Sequence, residues 1–167
     1  MRPLARALML LWFVATAWLA VWIVLHDRTF DYRLLAVGAV LPDVIDGVTG
    51  GVGVMHSVVT SIAVLVAVML VTFGRRPIRR RLLAIPFGTF LHLVFDGAFN
   101  NTRVFWWPIA GRAVQGHSLP SIERGALSVL LEVIGAVILW WWWKRFALAV
   151  PVNRTAFLRI GHLPVDV

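Results

Sequence analysis

Leu34-Leu35-Ala36-Val37-Gly38-Ala39-Val40-Leu41-Pro42-Asp43-Val44-Ile45-Asp46 is the stretch on which the number of chain crossings turns. The eight apolar residues from Leu34 to Leu41 would rise only about 12 Å at 1.5 Å per residue, well short of a hydrocarbon core of about 30 Å. Pro42 lacks an amide proton and closes the run as a helix breaker. The segment therefore reads as a short re-entrant or packed helix before Pro42, tolerated at membrane depth where protein or a polar cavity surrounds it. Asp43 and Asp46 follow at once in an otherwise apolar context, where an ionisable group is expensive unless it pairs or binds something. Residues 47–53 are glycine-rich and read as a loop whose backbone can approach a bound ion closely.

Working outward, four further apolar runs are long enough to cross or nearly cross a bilayer, at residues 7–25, 58–73, 82–96 and 126–143. With 60% hydrophobic residues the 167-residue chain exceeds what a soluble core requires, and it reads as one all-α, polytopic integral membrane domain. Ala15 and Ala17 offer a small-x-small cleavage pattern, but the run continues through Trp18, Leu19 and Trp22 instead of turning polar, which favours a span over a signal peptide. No cysteine is present, so thiolate metal sites and disulfide frameworks are excluded.

Charge orients the spans. With both termini in the cytoplasm, the inner side of a cell (inner) membrane holds Arg2, Arg6, Arg75, Arg76, Arg79, Arg80, Arg81, Lys144, Arg145, Arg154 and Arg159, eleven of the sixteen basic residues. The outer side receives Asp27, Asp31, Asp43, Asp46, Asp96, Glu123 and Glu132, seven of the eight acids. Residues 144–167 then form a cytoplasmic tail, with 151–167 as a strap outside the membrane. The net charge of +8 is thus a topology and anionic-lipid signal, worth about 1 kcal/mol per residue near an anionic leaflet, and no nucleic-acid partner is expected.

The same orientation gathers five metal-competent side chains on the outer leaflet: Asp43, Asp46, His56, His92 and Asp96. His92 and Asp96 are four apart and share one helix face. Imidazole nitrogen mixed with carboxylate oxygen suits a divalent ion, zinc first and manganese or iron next. Each signal also has an ordinary explanation: Asp43 as a turn or N-cap residue, His56-Ser57 as a helix start, and His92 with Asp96 as a buried hydrogen-bonded pair. Glu132, the one acid deep in a span, is either an interhelical hydrogen-bond partner or a ligand or general base. His117 is a loop residue or a substrate or metal contact. Arg103, Arg112 and Arg124 are surface charges or the holders of an anionic head group. His26 and His162 are bystanders.

Leu41-Pro42-Asp43-Val44-Ile45-Asp46, Gly53-Val54-Met55-His56-Ser57, His92-Leu93-Val94-Phe95-Asp96 and Trp107-Pro108, in that order, resemble the YdjM-type membrane-bound metal-dependent hydrolases over roughly residues 35–135. That resemblance implies metal ligation by Asp43, Asp46, His56, His92 and Asp96. Two departures accompany it. Gly51 and Val52 stand where many members carry His-Arg, and Met55 stands where they carry Thr.

The expectation is a membrane-embedded hydrolase with an extracytoplasmic site, acting on a phosphoester or related bond of a membrane lipid or lipid-linked substrate. Asp46, Asp96 and Glu132 are its candidate proton acceptors. The alternative is an inactive relative that serves as a partner-binding membrane subunit, with a membrane-protein partner or a second copy of the chain. A narrow ion or proton pathway is the third reading.

Overall fold

The computed structural model describes residues 9–49, 53–111 and 126–164, and every regular element among them is helical. In order these are α1 (Leu10–Leu25), α2 (Tyr32–Thr49), a 3-10 turn (Val54–His56), α3 (Val58–Val71), α4 (Arg76–Leu82), α5 (Ala84–Asp96), a second 3-10 turn (Ala98–Asn100), α6 (Thr102–Phe105), α7 (Ala126–Arg145) and α8 (Pro151–Ile160). The all-α expectation holds.

Pro42 does not end a helix. It lies inside α2, which runs unbroken for 18 residues through Asp43 and Asp46. Pro42 cannot donate to the Gly38 carbonyl one turn earlier, so helical propensity alone disfavours this segment. Packing overrides it: Gly38 faces the Ile85 backbone of α5, and Gly88 of α5 faces the backbone of Leu35 to Ala39. A Cβ at either glycine would run into the opposite main chain, so the two helices approach as closely as small residues allow.

An additional traverse changes which residues share an end of the bundle. The loop between α1 and α2 was expected opposite the arginine run and the tail, yet it binds both. Arg80 Nη2 lies 3.3 Å from Asp27 Oδ2 and Arg81 Nε 3.6 Å from Asp31 Oδ2. The Tyr32 amide donates to the Gly161 carbonyl at 3.0 Å, the Leu163 amide to the Arg28 carbonyl at 2.9 Å, and Arg33 Nη1 to the Leu158 carbonyl at 2.7 Å. The arrangement with both termini on one face is therefore corrected: α1 starts at the end carrying Asp43 and His92, whereas α8 sits at the arginine end. Aromatic packing closes the arginine end, where buried Trp142 meets Trp18 at 5.6 Å, Tyr32 at 5.5 Å and Phe146 at 4.7 Å between ring centroids.

Four spans were expected. Among the described residues one helix, α7, is long and apolar enough to cross a membrane, and α1 and α3 are shorter apolar helices. The run at 82–96 is shortened to α5 because the arginine-rich α4 precedes it as a separate element. The tail is not a bare strap, since α8 is helical and docked.

Two outcomes check this architecture. Gly88→Ala lowers stability by about 1–3 kcal/mol in thermal unfolding of the detergent-solubilised chain, as overpacking does, whereas Val94→Ala on the exposed side of the same helix leaves it nearly unchanged. Cysteines at Thr29 and Arg80 are joined by a short bis-maleimide in this cysteine-free chain; failure to join them would place the two loops at opposite ends.

Candidate metal centre

Three elements deliver one side chain each: Asp43 from α2 just after Pro42, His56 from the 3-10 turn, and His92 from α5. All three are 1% exposed. Asp43 Oδ1 lies 3.3 Å from His56 Nε2 and 3.5 Å from His92 Nε2, and the two Nε2 atoms are 3.4 Å apart. These atoms form a nearly equilateral triangle, a group that can hold a metal ion.

The outer ring nitrogens fix the proton positions. His92 Nδ1 lies 2.7 Å from the Ala39 carbonyl, which only accepts, so Nδ1 carries the proton. His56 Nδ1 donates in the same way to Asp46 Oδ2 at 2.6 Å. Both Nε2 lone pairs therefore converge on a carboxylate, and three acceptors this close repel unless a cation sits among them. Asp43 Oδ2 adds a further demand, being buried with no hydrogen bond. Without a metal the cation is a proton: burial alone would depress His56, but hydrogen bonds to Asp43 and Asp46 outweigh it and raise its pKa to about 9.

The spacing tests the fit. Two imidazole nitrogens and a carboxylate oxygen 3.3–3.5 Å from one another are a donor set that fits a divalent ion. Asp96, one turn after His92 and also 1% exposed, brings Oδ2 to 4.0 Å from His56 Nε2, beside the triangle.

Asp46 is corrected from ligand to support. Its Oδ2 accepts from His56 Nδ1 and from the Gly53 amide at 3.0 Å, and its Oδ1 accepts from the Met55 amide at 3.2 Å. Both oxygens are committed, the arrangement of a carboxylate that orients a ligating imidazole. Met55 contributes through its backbone, so a side chain other than Thr is accommodated there. Glu132 takes the first of its two readings, an interhelical hydrogen-bond partner: its oxygens accept from the Leu11 amide at 3.4 Å and the Trp12 amide at 3.2 Å, capping two of the unsatisfied donors at the start of α1. Arg103 is exposed on α6. Arg112, His117 and Arg124, like Gly51 and Val52, lie outside the described residues.

Sequence reasoning missed four supports. The Ala39 carbonyl sets the His92 tautomer, and no side-chain signal marks it. Gly53 approaches so closely that a Cβ would sit 2.6 Å from Asp46 Oδ1. Phe13 of α1 packs on His92 with ring centroids 3.9 Å apart. Ser57 accepts from the Val59 amide at 3.1 Å as the N-cap of α3, and its hydroxyl reaches the Trp107 carbonyl at 2.5 Å, joining the turn to the segment after α6. The N-cap preference for Ser was the available clue.

Asp46→Asn is expected to weaken binding of a divalent ion about 10–100-fold in competition titrations, and Asp43→Ala to abolish it. Binding at neutral pH is expected to release a proton from His56, whose pKa is raised; calorimetry in buffers of different ionisation enthalpy reads this, and affinity falls as pH is lowered. No protein-family model, no curated protein and no solved structure matches the chain, so the function of this centre is argued from its geometry.

Proposed function

We propose that the chain is a membrane-embedded, zinc-dependent hydrolase acting on a phosphoester or related bond of a lipid or lipid-linked substrate. The observation that carries this reading is the buried Asp43–His56–His92 triangle with both imidazole protons held on Nδ1. Asp43, His56 and His92 would hold the ion, which would supply Lewis-acid polarisation of the scissile group and a more acidic bound water. Of the three carboxylates expected to accept a proton, Asp46 and Glu132 are committed to backbone amides and to His56. Asp96, beside the triangle, takes that role.

Membrane residence is supported by α7. A soluble core helix of this length would be mostly buried, yet only 11% of the apolar window of α7 is covered. Ile62, Val66, Leu70 and Val71 of α3 are exposed as well, and an apolar surface of this extent belongs in lipid. In this reading α7 crosses the bilayer, and α1, α2, α3 and α5, which alternate in direction beside it, are embedded with it. The end that among the described residues bears eleven basic residues, Arg28 and Arg33 now among them, and two acidic ones faces the cytoplasm, and the end bearing Asp43, Asp46 and Asp96 faces outward. The three ligands are among the five that the resemblance to YdjM-type hydrolases implies.

One observation favours a second reading. The triangle is almost fully shielded and Asp96 stands at its fourth corner, as in closed structural zinc sites, so the metal would clamp α2, the turn and α5 in a subunit that binds a partner.

Metal analysis and kinetics separate the two. The purified chain carries about one zinc, and Asp96→Asn keeps it while lowering turnover of a phosphoester lipid about 10²–10⁴-fold. Loss of the fold on zinc removal, with no turnover by the zinc-loaded wild type on any phosphoester lipid tried, would replace the enzyme reading by the structural one.

A further inference from the structure

The arginine end contains more basic residues than it uses. Arg80 and Arg81 are tied to Asp27 and Asp31, and Arg33 to Asp31 and the Leu158 carbonyl. Arg75, Arg76 and Arg79 face no acid among the described residues. Arg75 and Arg76 are exposed and Arg79 half-buried. Arg76 and Arg79 are three apart on α4 and share a helix face, and Arg75 caps the helix directly before Arg76. The apolar side chains next to them also lack cover: Phe73 is 83% and Ile78 48% exposed. Lys144, Arg154 and Arg159, which meet no acid among the described residues, bring three more cations to the same end, around exposed Val152 and Leu158 of α8.

We infer that Arg75, Arg76 and Arg79 form a binding surface for the phosphates of anionic phospholipids in the leaflet at that end, with Phe73 and Ile78 seated among the upper acyl carbons. Division of labour within one arginine run is the new element. Arg80 and Arg81 hold the α1–α2 loop to α4, and the other three reach outward. Apolar groups beside unpaired guanidinium groups match the boundary between head groups and chains, where Arg pairs with phosphate. The inference rests on membrane residence and is independent of the metal centre.

The test uses the full chain in detergent micelles doped with phosphatidylglycerol or phosphatidylcholine, with retained lipid counted by native mass spectrometry. Wild type is expected to prefer phosphatidylglycerol, and the triple variant Arg75→Gln, Arg76→Gln, Arg79→Gln to lose that preference by up to about 100-fold, on the order of fivefold per arginine. High salt weakens the wild-type preference, and inorganic phosphate at the same concentration does not displace the lipid. Arg80→Gln with Arg81→Gln is expected to lower the melting temperature while keeping the preference. Equal retention of both lipids by wild type, or an unchanged preference in the triple variant, overturns the inference. A chain that stays dispersed without detergent or lipid instead overturns the membrane reading on which it rests.

Discussion

Two imidazoles whose Nδ1 protons are fixed by acceptors, so that their Nε2 lone pairs and a carboxylate meet within 3.5 Å, are the constraint from which the rest of the site end follows. Such a cluster is repulsive in a low-dielectric interior unless it encloses positive charge. Every nearby support serves its geometry. Gly38 and Gly88 let α2 and α5 approach until the Ala39 carbonyl reaches His92. Gly53 lets the turn close over Asp46, and Phe13 covers the His92 ring. The close α2–α5 contact is therefore a condition of the site as much as of the fold.

The two ends of the bundle are stabilised by different means. At the arginine end, rings from α1, α2 and α7 interlock around Trp142, and the tail closes the loop before α2 with backbone hydrogen bonds. Dispersion and area burial dominate there. At the other end buried polar groups predominate, each needing a stated partner: Ser61 with Thr89 at 3.0 Å, Ser57 with the Trp107 carbonyl, Asp46 with two amides. An apolar anchor at one end leaves the other free to carry polar chemistry at a cost the whole fold sustains.

Much of this was legible in residue types and spacing. His92 and Asp96 four apart on a helix, and the Asp43 and His56 segments on the same side, were enough to collect the cluster. What spacing could not distinguish was a ligand from the group that orients a ligand. Asp43 and Asp46 look alike in sequence, and their roles separate only because the amides of Gly53 and Met55 fold back on Asp46. Glu132 stayed open between two readings for a related reason. A deep acid suggests chemistry, but the first amides of a helix need acceptors, and α1 finds its acceptor 120 residues away in α7. Pro42 was misread because a breaker rule is local, whereas the contact that overrides it lies with Gly88, some fifty positions further on.

That single misreading propagates in a revealing way. Removing one traverse moves the Asp27–Arg33 loop to the wrong end, and it does so without damaging the charge asymmetry that seemed to support the placement. The acids in this loop are few, and each is neutralised: Asp27 by Arg80, and Asp31 by Arg33 and Arg81. A tally of charges cannot register a neutralised pair, so the bias toward one end survives either assignment. The cluster gathers under either assignment for a separate reason: Asp43, His56, His92 and Asp96 all lie after the misplaced loop, so their mutual placement depends on the crossings among α2, α3 and α5 alone. Charge counts orient a bundle, but only pairing across helices establishes how many times the chain crosses it.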